Sequence, residues 1–244
     1  MIHVWGITDK GAVRTQNQDC FYSREIESDL VTVMVCDGMG GHRAGNVASM
    51  LAVNVASAYL ESLTPEELAE VPNEHLVRGA NLANEAVYRK AEQDPDCTGM
   101  GTTMVSAIVI DSKAYILNVG DSRAYHIGED GIVKISRDHS VVEDMVYRGD
   151  ITPEEARLHP QKNLITRALG GDMKVEPDLY EKELKTGEFL LLCTDGLSNI
   201  LTDQELLYEV LHGGTPESCC QRMLDLALSR GAPDNVTVVL IQKQ

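Results

Sequence analysis

Aromatic side chains are scarce. One Trp, two Phe and eight Tyr make up 5% of the 244 residues, so the core has to be aliphatic. Linkers are missing as well. No Pro-, Gly- or Ser-rich stretch and no low-complexity tract interrupts the chain, which predicts one domain over residues 1–244. No apolar run approaches the ~20 residues that cross a bilayer. The first residues, Met1-Ile2-His3-Val4-Trp5-Gly6, lack the charged and apolar regions of a signal peptide. Six cysteines include no C-x-x-C pair; Cys36 and Cys193 lie inside apolar runs, and Cys219 and Cys220 are adjacent. That pattern argues against a zinc ribbon or a disulfide framework. Positive charge is in deficit, with 21 Lys and Arg against 38 Asp and Glu and a formal net charge of −17. Nucleic acids and anionic membrane surfaces would be repelled. The expectation is a cytoplasmic, reduced protein with no nucleic-acid or membrane partner.

What the chain does have is a repeated device. Residues 30–36, Leu30-Val31-Thr32-Val33-Met34-Val35-Cys36, form a continuous apolar run that stops at Asp37-Gly38-Met39-Gly40-Gly41-His42. Without polar alternation the run reads as a buried strand. The glycines then let the backbone approach something small or anionic. An Asp-Gly hairpin turn is the competing interpretation. The device recurs in Leu190-Leu191-Leu192-Cys193-Thr194-Asp195-Gly196, and in Tyr115–Val119 followed by Gly120-Asp121-Ser122-Arg123. Asp234-Asn235 opens another apolar run, Val236–Ile241, and Asp19 precedes an early strand-like segment.

Carboxylates brought together from several strand ends repel unless a cation sits among them. Oxygen donors of this kind select hard divalent ions, Mg²⁺ or Mn²⁺. Asp19, Asp37, Asp195 and Asp234, with the Gly38 carbonyl as a fifth oxygen, form a candidate site for two ions. Such a pair sits ~3.5–4 Å apart and lowers the pKa of a shared water. Arg14 offers a planar fork for two phosphate oxygens. Together these parts describe in-line hydrolysis of a phosphomonoester. Two assignments stay open. His42 is either a loop histidine or a proton donor to the leaving oxygen. Asp121 either serves a third, weaker ion or holds the 120–123 turn.

Periodicity predicts strands over 2–8, 19–23, 30–36, 102–110, 113–119, 122–127, 132–135, 175–183, 188–193 and 235–241. Helices are predicted over 44–60, 74–91, 202–211 and 215–229, with caps at Thr64 and Thr152. The polar stretch 138–174 reads as small helices and a functional loop. Strands in runs and helices in pairs imply an α+β fold of layered antiparallel sheets covered by helices. Two other phosphate devices fail. A cysteine phosphatase needs C-x₅-R, but six residues separate Cys36 from Arg43, and Asp37 beside the thiol opposes thiolate formation. Gly38–Gly45 lacks the Gly-Lys-Ser/Thr ending of a nucleotide-binding loop.

Six stretches in order resemble the metal-dependent protein serine/threonine phosphatases of type 2C. They are Arg14-Thr15-Gln16-Asn17-Gln18-Asp19, Asp37-Gly38-Met39-Gly40-Gly41-His42, Gly99-Met100-Gly101-Thr102-Thr103, Gly120-Asp121-Ser122-Arg123, Thr194-Asp195-Gly196-Leu197 and Asp234-Asn235-Val236-Thr237. The compact length and Met-Gly-Gly-His look like the bacterial branch. The resemblance implies a four-layer α-β-β-α sandwich with two Mn²⁺ or Mg²⁺ ions in a cleft at one end of the sheets. Asp37 would bridge both ions, the Gly38 carbonyl would bind one, and Asp195 and Asp234 the other. Asp19 would lie in the first or second shell, Asp121 would help bind a third ion, Arg14 would hold the phosphate, and 138–174 would be the flap. Two departures stand out: Gln18 where Glu is common, and Met39 where the animal enzymes carry histidine. The implied substrates are phosphoserine and phosphothreonine in proteins, the implied partner is a Ser/Thr protein kinase, and the expected state is a monomer. An inactive phosphoprotein-binding module and a small-molecule or phosphodiester hydrolase are the rival readings.

Overall fold

The computed structural model describes the whole chain except for the side chains of residues 41–43. From the amino end the elements are β1 (Ile2–Asp9), β2 (Asp19–Glu27), β3 (Leu30–Met39), α1 (Gly41–Glu61), α2 (Pro65–Glu70) and α3 (Pro72–Gln93). A strand-rich middle follows: β4 (Gly101–Thr102), β5 (Met104–Ile110), β6 (Lys113–Val119), β7 (Arg123–Gly128) and β8 (Gly131–Lys134). The remainder comprises α4 (Val141–Arg148), α5 (Pro153–Leu158), β9 (Asp178–Glu183), β10 (Phe189–Cys193), α6 (Asp195–Ser198), α7 (Asp203–His212), α8 (Pro216–Ser229) and β11 (Val236–Lys243).

Two antiparallel sheets result. One runs β1-β11-β10-β7-β8, and the other β2-β3-β5-β6-β9 with β4 paired to β3. The side chains of β3 explain the stacking. Val31, Val33 and Val35 point between the sheets, where they meet Val105, Ala107, Leu190, Leu192 and Val239. Leu30, Met34 and Cys36 point the other way, into a core shared with Ala48, Ala52 and Ala56 of α1 and Leu76, Ala80 and Ala83 of α3. An antiparallel strand needs no polar face when helices cover one side and a second sheet covers the other. Each valine so enclosed contributes roughly 1.5–3 kcal/mol of transfer free energy. A third core joins the other sheet to α7 and α8 through Leu191, Leu206, Met223 and Val238. The layers are therefore α-β-β-α, as expected.

Most predicted elements stand within a few residues of their expected limits, and Thr64 and Thr152 each close a capping box with Glu67 and Glu155. The strand predicted over 102–110 is broken at Thr103. Its amide keeps the ladder bond to the Asp37 carbonyl, but the return bond from the Asp37 amide goes to the Thr103 hydroxyl instead of the Thr103 carbonyl. The hairpin interpretation of the Asp-Gly pairs is wrong. Asp37-Gly38 lies inside β3, and Asp195-Gly196 opens α6. Their glycines answer to crowding: a Cβ on Gly38 would strike the Gly45 carbonyl of α1, and one on Gly196 would strike the Asn235 carbonyl. Among the described residues no helix is long and apolar enough to cross a membrane.

Candidate metal centre

A cleft of about 520 Å³ is lined by Asp37, Asp121, Asp195, Asp234, the Gly38 backbone and Arg14. The acids come from four separate places: late β3, the β6–β7 turn, the first residue of α6 and the residue two before β11. Among the described residues lining the cleft, Arg14 is the one cation. Asn163 and Ile165 of the 138–174 stretch form part of the same wall.

Threonines hold the acids in place. Thr102 donates its hydroxyl to the Asp37 carbonyl at 2.8 Å, and the Thr103 amide donates to the same carbonyl at 2.9 Å. The Asp37 amide donates to Thr103 Oγ1 at 2.9 Å, and that oxygen lies 2.7 Å from Ser122 Oγ. Asp37 is thus tied through Thr103 to the turn that carries Asp121. On the opposite wall Asn199 donates to Asp195 Oδ2 at 3.0 Å. Asp234 Oδ1 accepts the Asn235 amide at 2.9 Å, and its Oδ2 accepts Arg14 Nη2 at 2.7 Å.

Asp19 stands behind the cleft rather than on its wall. It faces Asp37 directly across the β2–β3 ladder and is 6% exposed. Its Oδ2 accepts the hydroxyls of Thr194 at 2.9 Å and Thr237 at 2.6 Å, while its Oδ1 is enclosed with no hydrogen-bond partner. Burial, opposed by the two threonines and reinforced by Asp195 and Asp234, pushes its carboxyl up to about 7. Burial and the Asp195 and Asp138 charges push Asp121 up to about 8. Asp37 and Asp195 are raised too, first by burial and then by neighbouring acids. Each acid is therefore costly to ionise here without a compensating positive charge.

These observations fit a hard divalent ion. The donors are all oxygen, one buried carboxylate oxygen lacks a partner, and several acids repel one another across a single cleft. The convergence is looser than the sequence reading has it. Among the described residues no three acidic, histidine or cysteine side chains close around a single point. Ions of the Mg²⁺ type keep several waters, so protein ligands spread around a cleft suit them. The His42 assignment lies outside the described residues.

Residues quoted in motifs but given no role turn out to build the site: Thr102, Thr103, Thr194, Thr237 and Asn235. Asn235 Oδ1 accepts the Gln18 amide at 2.8 Å, and its Nδ2 donates to the Lys10 and Gln16 carbonyls, each at 2.9 Å. One side chain therefore pins the segment that carries Arg14. Asn235→Ala is expected to cost about 1–3 kcal/mol by leaving those backbone groups without partners. It should also raise KM more than it lowers kcat, because Arg14 loses its support. Thermal unfolding beside steady-state kinetics checks both; an unchanged Tm and KM would refute the role.

Known proteins of one family are similar to this chain along nearly its whole length. The family model described as Protein phosphatase 2C matches residues 11–225. The serine/threonine phosphatase stp of Listeria innocua is 38% identical over 236 residues, covering 97% of this chain and 94% of that protein. A crystal structure of a point-mutated bacterial serine phosphatase superposes with a TM-score of 0.94 at 37% identity, covering 100% of this chain and 98% of that one. The catalytic domain of the serine/threonine protein phosphatase PstP, solved in complex with two manganese ions, gives a TM-score of 0.84 at 34% identity, covering 99% and 97%. The chain therefore belongs to the protein phosphatase 2C family and is a serine/threonine protein phosphatase.

Proposed function

We propose that the cleft is a binuclear Mn²⁺ or Mg²⁺ site at which phosphoserine and phosphothreonine in cytoplasmic proteins are hydrolysed, reversing the work of a Ser/Thr kinase. The observation that carries this reading is the gathering of Asp37, Asp121, Asp195 and Asp234 around one cleft with Arg14 beside them. In this reading Asp37 would be shared between the two ions, the Gly38 carbonyl would help hold one, and Asp195 and Asp234 would hold the other. Asp121 would help hold a third, weaker ion. When bound, the ions supply a water acidic enough to attack near neutral pH and offset the phosphate charge.

The chain's own residues do the rest. Asp19, held by Thr194 and Thr237, backs Asp37 from behind. Arg14 grips the phosphate with its fork and turns the phosphorus toward the attacking side. Its partner Asp234 lies at the cleft wall, so the guanidinium is already at the place where the substrate arrives. Residues 1–244 act as one phosphatase domain, with 138–174 as the flap that meets the peptide. The two manganese ions of the PstP catalytic domain support this choice of cofactor.

The test is dephosphorylation of a phosphothreonine peptide. Activity is expected only with Mn²⁺ or Mg²⁺ present, and full activity in excess chelator would refute the mechanism. Arg14→Ala should raise KM by about tenfold or more, as loss of a charge-assisted contact does, with a smaller fall in kcat. If kcat/KM is unchanged, Arg14 is a bystander.

A further inference from the structure

One buried imidazole joins the flap to the turn that carries Asp121. His139 is 6% exposed and opens the flap just before α4. Its Nδ1 accepts the Gly120 amide hydrogen at 3.0 Å, and its own amide donates to the Gly120 carbonyl at 2.8 Å. Ring and backbone together clamp both polar groups of the residue before Asp121. Gly120 needs that support: its φ is +105°, and Thr103 fills the place of a Cβ.

The ring's orientation is set from its other side. Since Nδ1 receives a hydrogen, Nε2 must carry the ring's own. Nε2 lies 3.0 Å from Arg167 Nη1 and 3.2 Å from Asp178 Oδ2; since guanidinium cannot accept, the Nε2 hydrogen is left to Asp178, whose Oδ1 accepts Arg167 Nη1 at 2.8 Å. Arg167 belongs to the far end of the flap, where Thr166 also donates its amide to the His139 carbonyl at 2.8 Å. The two ends of the flap are thus closed on each other around His139. Between them, Asn163 and Ile165 reach the cleft wall.

We propose that His139 is the positioning residue for Asp121: its Nδ1 holds the Gly120 amide, Asp178 fixes its tautomer, and the flap thereby sets where the Asp121 carboxylate stands. This rests on the reading of Asp121 as an ion ligand. An imidazole in such a place is more than packing, because only an acceptor at the Nδ1 position satisfies the Gly120 N–H.

The two amide isosteres separate these roles. Asparagine can place its side-chain oxygen near the Nδ1 position, whereas glutamine reaches toward Nε2. His139→Gln should speed hydrogen exchange at the Gly120 amide by about tenfold or more. It should also raise the Mn²⁺ concentration for half-maximal activity by about 10- to 100-fold, the range for loss of an outer support. The KM for the phosphopeptide should move less. His139→Asn should restore both properties toward wild type. Asp121→Asn serves as the reference. If it leaves the Mn²⁺ dependence unchanged, the reading of Asp121 fails, and Gly120 exchange alone then judges the role of His139. If Asp121→Asn acts but the Asn and Gln variants of His139 match each other in exchange and Mn²⁺ dependence, the His139 proposal is overturned.

Discussion

Asp37→Asn is expected to lower kcat/KM by at least about 10²-fold at saturating Mn²⁺, more than loss of an outer hydrogen bond costs. Asparagine fills the same space and leaves the backbone bonds to Thr102 and Thr103 intact, so the fold should survive. What disappears is one negative charge at the position where both ions would be shared. The effect should exceed that of any other single aspartate in the cleft, because the others serve one ion each. Asp130→Asn, in the exposed β7–β8 turn, is the control and should behave as wild type. Equal activity of Asp37→Asn and wild type would remove the bridging role outright. Circular dichroism of both variants excludes unfolding as the cause.

A second large effect is expected on stability in the presence of chelator. Asp19 has its folded carboxyl near 7, and Asp121 near 8, against an ordinary 3.8. Burial is the first cause in each case. The sign follows from linkage: a carboxyl that is harder to ionise in the fold gives no penalty below about pH 4, where both states are protonated. The penalty grows as pH rises and is complete above the folded value. Chelated protein should therefore lose Tm steadily between about pH 4 and pH 8. For Asp19 alone the loss is on the order of 4 kcal/mol, which at ~2–4 °C per kcal/mol is readily measured. Mn²⁺ should recover more Tm at pH 8 than at pH 5, since ligands must be ionised to bind it. Scanning calorimetry across that range checks the claim, and a Tm that rises with pH in chelator would contradict it.

Much of this was legible in the residues. β3 announced itself because a run apolar on both faces has to be enclosed on both sides, which a four-layer sandwich provides. The acids were legible because the same strand-then-Asp device recurs through the chain. Their supports were not. Thr194 and Thr237 reach Asp19 across 175 and 218 residues of sequence, and no local pattern marks a hydroxyl that will bond so far away. The break at Thr103 was hidden for the same reason: its side-chain hydroxyl, not its carbonyl, accepts the Asp37 amide from β3, and no local pattern marks that exchange. The role of the glycines was half legible. Close approach was foreseen, but what approaches Gly38 and Gly196 is the protein's own backbone.

The most direct measurement is anomalous scattering from crystals grown with Mn²⁺ and from Asp37→Asn crystals grown the same way. Two strong peaks in the cleft flanked by Asp37, Asp195 and Asp234 are expected, with at least one weakened in the variant. Peaks elsewhere on the surface, or an unchanged pair in Asp37→Asn, would contradict the assignment of these acids.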